Sequence, residues 1–479
     1  MGNITDVIIV GAGLSGIDAG YRIQTDCPSL SYTIFEGRKA IGGTWDLFKY
    51  PGIRSDSDMY TLGFPFYPWK NPKAIADGPS ILSYIKETAS HFGIDKKIQF
   101  NHRVKHASWS DEKALWTLQI ENEGSVKEFQ CKFLFMTTGY YNYEAGYSPS
   151  FAQSDQFKGP IIHPQFWDES LDYTDKKIVV IGSGATAVTL VPELAKKAKK
   201  VTMLQRSPSY IMALPSEDLI ANFLNKYLPS KPAYQLIKWK NVLLSMFLFQ
   251  YSQRWPESMK KFIMKGVHRG LKTEELDKHF QPTYKPWDQR LCLVPDGDFF
   301  KAIRRGDADV VTDHIKEFTP NGINLVSGES LEADIIISAT GLKLQLLGGM
   351  TVEVNNEKIE PNTLHSYKGV MFSDVPNFAF AVGYTNASWT LKCDLNCQFV
   401  TRMLNFMKEN DKTVVVPRFD DTKYGSEPLL DFDAGYVKRA LDHLPKQGSE
   451  KPWKVHQNYI KDTISLKLDK INNTNLEFK

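Results

Sequence analysis

Two stretches of the chain repeat one hydrophobic pattern. Residues 6–10, DVIIV, and 178–181, IVVI, carry unbroken runs of β-branched residues, over 7–10 in the first, and such runs predict strands buried on both faces. Each enters a glycine-rich turn. A helical pattern follows, over 17–24 in the first unit, and then a second strand: YTIFEGR in the first unit, VTML in the second. Strand, turn, helix and strand in that order predict a βαβ unit with parallel strands, twice in one chain. Two further apolar runs, FLFMTTG (133–139) and IIISATG (335–341), end on glycine and predict paired crossings between domains. The expected fold class is α/β, with two Rossmann-like dinucleotide-binding domains and a helical insertion. The insertion is expected over 214–286, rich in Leu, Phe, Lys and Trp. An amphipathic packing insert is the plainer reading of that segment; an apolar face resting on a membrane is the less favoured one.

The turns carry the first chemistry. Gly11, Gly13 and Gly16 have the G-x-G-x-x-G spacing, and Glu36 ends the next strand 20 residues after Gly16. Gly11 permits the tight turn, Gly13 lets backbone approach a pyrophosphate, and Gly16 allows close helix–strand packing. The helix N-terminus supplies amide donors, and Glu36 accepts from an adenosine ribose. In the second unit Gly182, Gly184 and Ala187 hold the same positions, but the second strand ends in Gln205, Arg206 and Ser207, with no carboxylate. A carboxylate would repel a 2′-phosphate, whereas Arg206 attracts it. The first unit therefore suits FAD and the second NADPH, which implies hydride transfer between them.

Composition narrows the picture little. The 479 residues are 42% hydrophobic and 24% charged with a net charge of +3, an ordinary globular balance without a nucleic-acid footprint. Five cysteines, Cys27, Cys131, Cys292, Cys393 and Cys397, suit a reduced cytoplasmic compartment; no metal site is expected from them. The start runs almost directly into a strand, without a signal-peptide pattern, and the polar end, NNTNLEFK, offers no anchor. The most apolar stretch, 242–249, is far shorter than the roughly 20 residues that span a bilayer.

Two longer motifs point further. FKGPIIHPQFWD carries Phe157, Gly159, His163, Trp167 and Asp168 in the order F-x-G-x-x-x-H-x-x-x-W-D. Gly42-Gly43-Thr44-Trp45 is followed at fixed spacing by Tyr50-Pro51-Gly52 and Asp56. On these residues the chain resembles the class B flavin monooxygenases, and among them the type I Baeyer–Villiger monooxygenases. Amine- and sulfide-oxidising relatives place Tyr where this chain has Trp167. YPGIRSDSDMYTLG, YKPWDQRLCLVPDGDFFKAI and GYTNASWTLK resemble the ethionamide-activating branch.

The resemblance implies an NADPH- and oxygen-dependent enzyme that converts ketones to esters or lactones through a flavin peroxide, with sulfides or thioamides as further substrates. It implies Arg290 as the active-site cation, with Asp56 beside it to orient the guanidinium; Asp58 is the second choice. It places Ser15, Glu36, Thr44, Trp45, Asp46, Leu47, Asp56 and Val104 on FAD. It places Arg54, Ser55, Arg206, Ser207 and the turn Gly182, Ser183, Gly184, Ala185, Thr186, Ala187 and Val188 on NADPH. His163 is expected to be a linker residue without a proton-transfer role, and Trp167 a packing residue. Asn386 and Ser388 are expected to cap the helix after PNFAFAVGYTN, and Trp389 is either a pocket wall or core. The FAD domain is expected over 1–145 and 343–479, and the NADPH domain over 155–213 and 287–342. Two other readings need different residues. A disulfide reductase needs a cysteine pair near the first helix, where Cys27 stands alone, and a flavin-binding redox sensor has no need of Asp56 and Arg290 together.

Overall fold

The computed structural model describes residues 4–271, 276–289, 291–429 and 435–479. Two parallel sheets organise it. In the first, β1 (Thr5–Val10) lies between β2 (Tyr32–Phe35) and β3 (Ser125–Met136), parallel to both. Ile98–Gln99 extends the far side of β2. The N-terminal half of β3 continues into the antiparallel strands Leu115–Asn122 and Arg103–Ser110, and then into Thr351–Val354 and Glu357–Lys358. In the second, β4 (Lys177–Ile181) lies between β5 (Lys200–Gln205) and β6 (Ile335–Ser338), with Ala308–Thr312 and Ile161–Ile162 outermost; all five strands are parallel. A late strand of the chain, β7 (Phe378–Phe380), returns to pair with β3 in the first sheet.

The unbroken apolar runs have a simple cause. Alternate side chains of a strand point to opposite faces, so a strand covered on both sides must be apolar throughout. Val7 and Ile9 enter one core cluster and Ile8 and Val10 another, on the opposite face of the sheet. Ile178 and Val180 part from Val179 and Ile181 in the same way. Helix α1 (Leu14–Asp26) follows the first turn and packs against α6 (Trp389–Glu409); α2 (Ala185–Leu194) follows the second turn.

The two sheets are joined by crossings that run side by side. After β3 the chain passes Gly139 into Tyr141–Gly146, and after β6 it passes Gly341 into Leu342–Leu344; these two segments pair antiparallel. Between the sheets stand three helices, α3 (Leu219–Tyr227), α4 (Ser230–Arg254) and α5 (Pro256–Gly270). Their neck is the parallel pair Ile211–Leu214 and Cys292–Pro295. Ala221, Ala233, Ile237 and Val242 plant the first two of these helices in the core of the first sheet. The opposite side of those helices leaves large apolar side chains exposed. No described helix is long and apolar enough to cross a membrane. All five cysteines are buried, and no group of metal-ligating side chains occurs among the described residues.

Candidate active site

The glycine turns are copies of one another at atomic detail. The Gly11 amide donates to the Phe35 carbonyl at 2.8 Å, and the Gly182 amide donates to the Leu204 carbonyl at 2.9 Å. Both glycines have positive φ, +106° and +133°, and lie so close to the crossing strand that a Cβ would stand 2.8 Å from the Thr137 carbonyl oxygen or 2.4 Å from that of Ala339. These positions require glycine. At the third position of the first motif, a Cβ on Gly16 would fall 1.9 Å from the Gly11 carbonyl oxygen. Its counterpart Ala187 is accommodated with its side chain fully buried. The middle glycines differ from these, since a Cβ on Gly13 would meet nothing nearer than Gly43 at 3.6 Å, and one on Gly184 nothing within 4 Å. Gly184 thus faces open space, whereas Gly13 lies against the Gly43 backbone; neither is crowded as the first glycines are. Gly13 and Gly184 are the N-cap residues of α1 and α2, where no side chain caps the helix. The leading amides of both helices are thereby left for an anion.

The matched hydrogen bonds also align the strand ends: Gln205 occupies the place of Glu36. The Glu36 carboxylate is buried and turns back into its own unit, accepting from the Ala12 amide at 2.8 Å and the Arg38 amide at 2.9 Å. Burial pushes its carboxyl above the usual range, with the two amides opposing that shift. Gln205 is also buried, but its amide turns away, donating to the His279 carbonyl at 2.6 Å and to Thr312 at 2.9 Å. Arg206 and Ser207 come next and are exposed. The second strand end thus presents a cation and a hydroxyl where the first presents a carboxylate.

One cavity of about 1130 Å³ runs between the sheets and under the helical insertion. Of the residues expected on FAD, Gly11, Gly13, Ser15, Glu36, Thr44, Trp45, Leu47, Asp56 and Val104 line it; of those expected on NADPH, Arg54, Ser55, Ala185 and Thr186 do. Gly16, Gly182, Ser183, Gly184, Ala187, Val188, Arg206 and Ser207 do not form its wall. Asp46 stands behind the wall, paired with Arg38 at 2.7 Å. Arg290 lies outside the described residues, while Trp287 and Leu291 on either side of it line the cavity.

The segment 50–58 is a seam between the two sheets. Gly52, with φ +76°, is pressed against Glu193 and the Thr189 carbonyl of α2. Tyr50 is half-buried beside Thr186, with which it hydrogen-bonds, and desolvation pushes its hydroxyl up to about 12. Arg54 is ion-paired with Asp298, at the start of the helix Asp298–Arg304. The Ser55 hydroxyl donates to the Ser57 carbonyl at 2.7 Å. Asp56 is exposed on the cavity wall. Asp58 is the N-cap of Met59–Leu62, accepting from the Thr61 amide at 3.0 Å and hydroxyl at 2.6 Å, and from Asn241 of α4 at 2.9 Å. Asp58 therefore anchors the insertion to the first domain, a tie with no sequence signal because Asn241 is 183 residues away.

The end of the chain closes the site differently from expectation. Ser388 sits at the N-cap of α6, but its hydroxyl bonds the Thr61 hydroxyl at 2.6 Å and caps nothing; Asn386 donates to the Gln457 carbonyl at 3.1 Å. The expected capping by these two side chains is absent, because each finds a tertiary partner instead. Trp389 is a cavity wall: its indole N–H donates to the Ser15 hydroxyl at 2.9 Å and its ring stacks on Tyr140 at 5.0 Å. His163 bridges the crossings, with Nε2 at 3.0 Å from the Gly341 carbonyl and Nδ1 accepting from the Gln165 amide at 3.2 Å. Those partners define a neutral ring with the proton on Nε2, and burial lowers its pKa. Trp167 is buried in the core of the second sheet. Residues the sequence reading missed include Arg38, which donates to the nearby Gly43 carbonyl at 3.1 Å and faces the distant Tyr143 ring at 5.7 Å, and Asp298, whose partner Arg54 lies 244 residues away.

Comparisons with known proteins agree with this architecture. Residues 5–405 match the flavin-binding monooxygenase-like family. The chain is 54% identical over 475 residues to the FAD-containing monooxygenase EthA of Mycobacterium tuberculosis, covering 99% of this chain and 97% of that one. It is 46% identical over 476 residues to the probable FAD-binding monooxygenase AlmA of an Acinetobacter species, covering 99% and 96%. Its fold is similar to the crystal structure of OTEMO in complex with FAD and NADP, with a TM-score of 0.71 at 22% identity over 87% of this chain and 88% of that one.

Proposed function

The chain belongs to the flavin-binding monooxygenase-like family, and from that membership we propose that it is an FAD- and NADPH-dependent monooxygenase that converts ketones to esters or lactones and also oxidises sulfides or thioamides. In balance, one atom of O₂ enters the substrate and the other leaves as water, with NADPH and a proton consumed. The observation that carries this reading is the single cavity onto which the carboxylate-bearing unit opens from one side and Ala185 and Thr186 of the carboxylate-free unit from the other. Nucleotides held by the two units would share that cavity.

The residues fit both groups. The first unit, on segments 1–145 and 343–479, holds FAD through the α1 amides, Ser15, Glu36, Thr44, Trp45, Leu47, Asp56 and Val104. The second, on 155–213 and 287–342, holds NADPH through the turn 182–188, Arg206 and Ser207, with Arg54 and Ser55 at the seam. The flavin, reduced by NADPH, supplies the activated oxygen. The chain's own part is electrostatic and steric. Arg290 places a permanent positive charge where negative charge develops on oxygen, and Asp56 orients it. The apolar wall made by Leu248, Leu291, Leu293 and Trp389 excludes water from the reacting groups. Purified protein loaded with FAD, given NADPH and a panel of ketones and sulfides, tests the reading by product analysis with oxygen uptake. Ester or sulfoxide formed in step with NADPH consumption is expected; hydrogen peroxide as the sole product across the panel would contradict it. Arg290→Ala is expected to retain flavin reduction and lose oxygenated product.

A further inference from the structure

The outer side of the helical insertion is apolar, continuous and ringed with positive charge. On α3, Leu219, Phe223 and Tyr227 recur at intervals of four and stand 78%, 61% and 62% exposed. On α4, Leu236, Leu243 and Phe247 form a second exposed stripe on one face. Helices α3 and α4 pack side by side. A third stripe, Ile460, Ile464 and Leu468, joins them, because Trp239 of α4 meets Tyr459 ring to ring at 5.8 Å. Single exposed apolar residues are ordinary on any protein, but three adjoining stripes are not.

The charge of this region sets it apart. Residues 219–270 contain nine Lys and Arg against one acid, Glu257, while the whole chain carries only +3, so the remainder is net negative. Lys226, Lys231, Arg254, Lys261, Lys265 and Arg269 are all exposed. A second copy of the same face would bring like charges together. An anionic lipid surface instead satisfies both properties: apolar side chains enter the interfacial layer, and lysines and arginines meet phosphates. The lack of a described helix long enough to span a bilayer fits a protein that lies on one.

We propose that the face built from α3, α4 and 460–468 docks on an anionic phospholipid bilayer. Leu219, Ile220 and Leu244 are exposed on this face and also line the cavity, so the mouth of the site opens toward the lipid. Apolar substrates dissolved in the bilayer then reach the cavity without crossing water. That route rests on the oxygenation reading, whereas the docking itself does not.

The test is co-sedimentation of full-length, FAD-loaded protein with vesicles of phosphatidylcholine alone or mixed with phosphatidylglycerol. Expected are binding to the anionic vesicles that weakens with salt, and a loss of about tenfold or more in the double variant Phe223→Glu and Phe247→Glu, since two buried aromatics are exchanged for charges. Neither residue lines the cavity, so conversion of a small water-soluble ketone is expected to be unchanged, which also reports that the variant is folded. A second variant, Lys226→Glu with Lys231→Glu, is expected to lose the preference for anionic lipid. Wild-type protein that stays in the supernatant with both vesicles would overturn the proposal. So would equal, salt-insensitive binding to both compositions, or self-association abolished by the Phe variants without any vesicle binding. Vesicle binding by protein that converts no ketone or sulfide would leave docking intact and defeat the oxygenation reading alone.

Discussion

The two glycine turns share the backbone geometry of their first glycine and differ in two places: the third motif position, Gly16 against Ala187, and the side chain at the end of the second strand. In both, a positive-φ glycine donates to the facing strand and abuts a crossing carbonyl; the middle glycine opens on space in the second turn and lies against the Gly43 backbone in the first. Glu36 turns inward to two amides of its own turn; Gln205, in the same place, turns outward to His279 and Thr312 and leaves Arg206 as the next polar group. On the proposed reading the shared geometry serves a pyrophosphate twice, and the strand end selects the ribose at each site.

The comparison can be broken most severely at the third motif position. Gly16→Ala puts a methyl group into the Gly11 carbonyl, and a loss of about 3 kcal/mol in folding stability with failure to retain FAD is expected. Ala187→Gly in the second unit is expected to cost only about 1 kcal/mol. Urea denaturation of both variants checks the asymmetry, and equal losses would show that the turns are not packed differently.

Arg206→Ala tests the strand end directly. Removing one charge-assisted contact to a 2′-phosphate is expected to raise KM for NADPH about ten- to hundredfold. KM for NADH should stay unchanged, and a parallel rise for both nucleotides in steady-state kinetics would remove Arg206 from the site.

Glu36→Gln probes the opposite unit, with FAD affinity expected to fall roughly tenfold as the ribose loses a charged acceptor. Stability should move the other way. Because burial raises the folded-state pKa of Glu36, its contribution is fully present below the ordinary carboxyl range and is lost as pH rises through the raised value. At neutral pH the FAD-free variant is therefore expected to melt no lower than the wild type, as thermal denaturation with and without FAD would show.

The smallest effect is expected where the two regions meet. Burial lowers the pKa of His163, so its contribution to stability is whole above its ordinary value of 6.5 and is lost as pH falls from there through the lowered one. His163→Gln should flatten that acid limb of the melting curve; an unchanged limb would assign it to other groups.

Much of this was legible in the sequence, because the elements that hold nucleotides are local. The strands around Gly11 and Gly182 lie within a residue or two of their predicted bounds, since continuous apolar runs and glycine spacing are short-range signals. Ties between distant segments were not legible: Asp58 with Asn241, Arg54 with Asp298, and Ser388 with Thr61. Ser388 shows the reason. Its position marks a helix start, and local rules assign it to capping, but a hydroxyl 327 residues earlier in the chain takes its hydrogen bond. The exposed stripes of the insertion were likewise hidden, because residue patterns give the apolar face of a helix without saying what covers it.

The central claim is that the carboxylate-bearing turn holds FAD and the carboxylate-free turn brings NADPH to the same cavity. Anaerobic mixing of FAD-loaded protein with NADPH, followed by the loss of the flavin's visible absorption, tests it most directly. Rapid, complete bleaching by NADPH, slowed in Arg206→Ala and far slower with NADH in the wild type, is the result expected. Protein that binds no FAD, or bound flavin that NADPH leaves oxidised, would contradict the account.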